Sequence, residues 1–99
     1  MTPEPTEFQS SCESQLSSLL ARTGRCLESR ELQPDPLRGV DTPLITGLIS
    51  GTSFRVYIYS DEAQLHGPEI DHRFEALDFQ TKDELTSAFL QAVDNAVAN

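Results

Sequence analysis

Ninety-nine residues make one domain. A chain of this size buries roughly 60–70% of its unfolded surface, which leaves room for one modest core but not for a deep substrate cavity as well. The composition, 37% hydrophobic and 23% charged, argues against global disorder, and the net charge of −9 speaks against nucleic-acid binding and adsorption to anionic lipid.

Residues 1–50 carry 4 basic and 7 acidic groups, and residues 51–99 carry 3 and 9. Lys82 is the only lysine. Such a field favours solubility and steers cationic partners.

Residues 1–6 read as a flexible tail, acidic and proline-rich, with no apolar run behind them of the kind a signal peptide carries. No stretch approaches the ~18 apolar residues a membrane helix needs. The expected location is cytoplasmic. Residues 7–99 are expected to form a single α+β domain.

Thr6 and Gln9 fit a capping box. Behind them Phe8, Cys12, Leu16, Leu19, Leu20, Thr23 and Leu27 recur at helical spacing, which predicts a first helix over 7–31. Gly24 is where it would end early or kink. Cys12 and Cys26 both fall on the apolar side of that helix, about 21 Å apart at 1.5 Å per residue. That separation excludes a disulfide. Both are read as buried thiols in a reducing compartment.

Residues 32–43 hold Pro34, Pro36, Gly39 and Pro43 and read as a proline-rich connector, pinned to the core by Leu37 and Val40. Leu44 to Ser50 is β-branched and apolar and reads as the first strand, with Gly47 a bulge or a point of close approach. Ser50-Gly51-Thr52-Ser53 is a hairpin turn. A second strand follows at 54–60, a polar loop at 61–68, and a third strand at 69–77. Thr81 and Glu84 form a second capping box. Leu85, Ala88, Phe89, Ala92, Val93, Ala96 and Val97 then mark the apolar stripe of a helix over 82–97.

The expected fold is therefore α+β in the order α-β-β-β-α. Its sheet is a three-stranded antiparallel meander with both helices packed on one face. The other face is open.

Alternation places Phe54, Val56 and Ile58 inward with Ile70, His72, Phe74 and Ala76. It places Arg55, Tyr57 and Tyr59 outward with Asp71, Arg73 and Glu75. Pairing the second strand directly with the third sets Tyr59 opposite Asp71, Tyr57 opposite Arg73 and Arg55 opposite Glu75, each a favourable pair. A slip by one residue would bury Arg and Glu. Arg55, Tyr57, Tyr59, Asp71, Arg73 and Glu75 are thus the candidate partner-binding residues, since Tyr and Arg dominate binding hot spots. The bland alternative is a cross-strand ladder that stabilises a solvated sheet by about 0.2–1 kcal/mol per pair.

Reactive chemistry has little to rest on. His66 and His72 are the only histidines, their spacing is not that of a zinc site, and such a site needs three or four ligands. No nucleophile elbow and no glycine-rich phosphate loop occurs. No cofactor or metal is expected.

The α-β-β-β-α order resembles that of the double-stranded-RNA-binding domain. Where that family carries its phosphate-binding lysines, this chain reads Thr81-Lys82-Asp83-Glu84. The acidic balance and helix–meander–helix layout also resemble the first part of type III secretion chaperones, which dimerise and wrap an effector segment.

The expected function is that of a small acidic, non-enzymatic protein-interaction module, such as an adaptor, an inhibitor, an immunity-type protein or a chaperone. It would bind a protein with a basic surface through its open sheet face. One alternative is an accessory subunit or small enzyme using His66 and His72 with Asp61 and Glu62. The other is a structural subunit that self-associates through a sheet edge, a homodimer included.

Overall fold

Thr6 opens the first helix as anticipated. Its hydroxyl accepts from the Gln9 N–H at 3.2 Å, and the Gln9 amide oxygen accepts from the Thr6 N–H at 2.8 Å. The computed structural model describes residues 4–98, without the side chains of 39–41, so half of the expected tail at 1–6 lies outside the described residues. Helix α1 runs Glu7–Arg22.

That helix is shorter than the 7–31 expected. Gly24 takes φ +76, its N–H donates to the Ala21 carbonyl, and the Arg25 N–H reaches back to Leu20 at 2.8 Å. This left-handed closure satisfies the last carbonyls and ends the helix. Cys26 therefore leaves the helix and is exposed, which corrects its reading as a buried thiol, while Cys12 is buried.

Strand β1 covers Leu27–Asp35 and β2 covers Gly39–Ile49. The expected connector at 32–43 is thus a β-hairpin. Its prolines sit where a strand tolerates them. Pro34 lies on the sheet edge and Pro36 in the turn. Pro43 lies beyond the end of β3, whose pairing with β2 reaches only Ile45. Leu37 is 79% exposed at the turn and pins nothing; the side chain of Val40 lies outside the described residues.

Strands β3 (Arg55–Ile58), β4 (Glu62–His66) and β5 (Asp71–Glu75) follow, then a short 3-10 turn at Ala76–Asp78 and helix α2 at Lys82–Val97. The sheet is five-stranded and antiparallel in the order β1-β2-β3-β4-β5, so the expectation of three strands understates it. With five successive strands, the element order on which both family resemblances rest does not hold.

Both helices cover one face. Leu16 and Leu20 of α1 and Leu85, Phe89 and Val93 of α2 are fully buried with Ile45, Val56, Ile58, Ala63 and Leu65 of the sheet. Gln9 is buried with them, and its amide nitrogen donates to the carbonyls of Pro43 and Ile58. It ties the first turn of α1 to β2 and β3. Gly47 is a close approach rather than a bulge: a Cβ there would stand 3.1 Å from Leu27 Cδ2. The irregularity lies opposite, on β1 between Glu28 and Glu31, where Ser29 takes φ 53.

Candidate interaction face of the sheet

The face turned away from the helices is built from the alternate residues of all five strands. On β3 these are Arg55 and Tyr57, with Tyr59 just beyond the strand. On β4 they are Glu62, Gln64 and His66, and on β5 Asp71, Arg73 and Glu75. The six expected residues do share this face, but not in the expected register. Strand β4 lies between β3 and β5, so no direct β3–β5 pair forms.

Tyr57 stands opposite Gln64, which stands opposite Arg73. Arg55 stands opposite His66, which stands opposite Asp71. The Tyr59 N–H donates to the Glu62 carbonyl at 2.8 Å, and Glu62 stands opposite Glu75. Tyr57 and Arg73 therefore keep a common row with one residue between them. The other two rows are exchanged, because two strands flanking a third run parallel to each other.

The inserted strand occupies most of the polar loop expected at 61–68, and its Glu62 and Ala63 have low strand propensity. Its signal was the alternation of polar Glu62, Gln64 and His66 with apolar Ala63 and Leu65. All but His66 are buried.

Glu62 is the centre of the face. Its Oε1 accepts from Arg38 Nη2 at 2.7 Å, and its Oε2 lies 3.0 Å from Arg73 Nε and accepts from Gln64 Nε2 at 2.6 Å. Gln64 Oε1 continues to His66 Nε2 at 2.7 Å, and His66 Nδ1 stands 3.0 Å from Asp71 Oδ1. The Tyr57 ring meets the His66 ring edge-on at 5.3 Å. A single network thus crosses β3, β4 and β5.

Arg38 was not among the expected residues. It sits in the β1–β2 turn, where Asp35 Oδ1 accepts from the Leu37 and Arg38 N–H groups. The sequence signal was Asp35-Pro36 ahead of Gly39, a turn signature. The guanidinium reaches Asp61 Oδ1 as well as Glu62, lies 3.7 Å from Asp35 Oδ2, and stands 4.4 Å above the Tyr59 ring. Burial opposes its charge, but the carboxylates of Asp61, Asp35 and Glu62 outweigh this and raise its pKa. The Tyr59 hydroxyl is also raised, first by burial and then by the Glu62 and Asp35 charges, with Arg38 offsetting part of that.

The two histidines are not brought together. His66 points outward, and His72, opposite Leu65, points to the helix side. Among the described residues no group of three or more His, Cys, Asp or Glu side chains is placed to hold a metal ion. Among them, no helix is long and apolar enough to cross a membrane. No family model matches the chain, and no curated protein or solved structure matches it either.

Proposed function

We propose that this chain is a small acidic protein-interaction module that binds a protein with a basic surface through the outer sheet face. The observation that carries the reading is the contrast between the middle of that face and its surround. Glu62 is fixed at 8% side-chain exposure, while Arg73 beside it is 62% exposed and Asp71 79% exposed. The enclosed network holds exposed groups in fixed positions, which lowers the ordering cost of docking. Arg55 is exposed and Tyr57 half-buried within the same rows. The net charge of −9 supplies long-range attraction for a basic partner.

A quantitative pull-down tests this. Wild type, Tyr57→Ala, Arg73→Ala and a control changed on the exposed side of α2, Ser87→Ala, are compared for the same bound proteins. Loss of those proteins in the first two variants alone is expected. Their retention by Tyr57→Ala and Arg73→Ala removes the sheet face from the account.

A further inference from the structure

The two edges of the sheet differ. Strand β1 is guarded by Pro34, by the left-handed Ser29 and by two shifts of register. Such devices block pairing with another chain. Strand β5 carries none of them and pairs evenly with β4 along its whole length.

Its backbone has a defined free side. The Gly67 N–H donates to the Ile70 carbonyl and the Ala76 N–H to the Asp61 carbonyl, which places the even-numbered residues of β5 in the hydrogen-bonded pairs with β4. Asp71, Arg73 and Glu75 therefore turn their N–H and C=O groups to the open edge. A second strand can pair there only by setting odd residues against odd. For two copies related by a two-fold axis, centres at Asp71, Arg73 or Glu75 set a charge against its own copy. Centres at His72 or Phe74 set opposite charges together.

The neighbouring structure decides between these. The 3-10 turn begins at Ala76, so a register centred on Phe74 ends at Glu75. A register centred on His72 extends from Ile70 to Phe74. It also sets Ile70 of each copy against Phe74 of the other on the helix side. Both residues are half-buried beside an apolar trough that Ala88, Ala92 and Ala96 of α2 complete.

We infer that two copies of this chain join edge to edge through β5 about a two-fold axis at His72. Asp71 of each copy then faces Arg73 of the other, and the two sheets become one. The seam shares Asp71 and Arg73 with the outer face, but sedimentation of the chain alone contains no basic partner, so the assembly is tested independently of docking.

The test is sedimentation equilibrium over a micromolar to millimolar series. Wild type is expected to sediment as a dimer. Asp71→Arg and Arg73→Asp, each alone, are expected to be monomers, because each sets like charges together at the seam. An equimolar mixture of these two variants restores opposite charges in both pairs and is expected to be a heterodimer, which also shows that both are folded. The doubly exchanged chain is expected to be a homodimer. Glu75→Lys is expected to leave the dimer intact. A wild type that stays monomeric throughout overturns the inference. So do single reversals that dimerise like wild type, or loss of the dimer in Glu75→Lys.

Discussion

Arg38 and Glu62, 24 residues apart in sequence, meet at 2.7 Å on the outer face of the sheet. With Asp61 and Asp35 also on Arg38, one cation holds three carboxylates. The turn that carries Arg38 and the strand that carries Glu62 are thereby locked together, and the row of exposed side chains beside them is held in place.

Arg38→Met should therefore lower stability by about 2–4 kcal/mol, since buried Asp35 would lose its cation and Glu62 would keep only Arg73. Arg30→Met makes the comparison. Arg30 pairs with Glu13 at 2.7 Å but is 40% exposed, and such pairs contribute about 0–1 kcal/mol. Urea denaturation of both variants checks this. Equal losses would show that the Arg38 cluster is no more than a surface pair.

Gln9→Ala should cost about 2–4 kcal/mol. It takes the Gln9 donor from the buried Pro43 carbonyl and from the Ile58 carbonyl, which still faces Ile45 across the sheet, and it removes half of the capping box. Amide hydrogen exchange should show the loss first in α1 and at the α1 end of β2.

At Gly67 a side chain has nowhere to go, because a Cβ would overlap the edge of the Phe54 ring. Gly67→Ala should destabilise by about 1–3 kcal/mol through that overlap. Pairing it with Phe54→Leu, which removes the ring, should recover part of the loss in a double-mutant cycle. Additive losses would place the cost elsewhere.

The Cys12 thiol is pushed up from 9.0 to about 12, chiefly by burial, with a Thr86 hydrogen bond offsetting part and the Glu13 charge adding a little. The folded state then keeps a proton that the unfolded state releases above pH 9. Stability is fully present below that pH and declines as pH rises from 9 toward 12, by up to about 1.4 kcal/mol per pH unit from this group. Cys12→Ala should flatten that part of the stability profile. A thiol reagent at neutral pH should titrate Cys26 alone in the native protein and both cysteines after denaturation.

How far the sequence could be read depended on whether local and tertiary signals agreed. Helix α2 was legible to the residue because Thr81 caps it and its stripe is uninterrupted. Helix α1 was overextended because Leu27 continues the apolar spacing across Gly24, although it belongs to β1 and packs at Gly47. The hairpin at 27–49 was hidden because prolines read as breakers until one knows that Pro34 lies on an edge. Strand β4 was hidden by weak propensity, and with it the register of the face. The inward and outward sets on β3 and β5 were nonetheless legible, because side-chain parity does not depend on which strand is the neighbour. Arg38 and Glu62 could not be paired from sequence, since nothing local brings a turn at 38 to a strand at 62.

The meander joins each strand only to its neighbour in sequence, yet its apolar side is closed by the first and last described elements. A nascent chain can thus zip its strands one after another as they appear. Val56, Ile58, Ala63 and Leu65 nevertheless stay wet until α2 has emerged to meet α1. Closure of that sticky surface during synthesis is therefore completed only with the last helix.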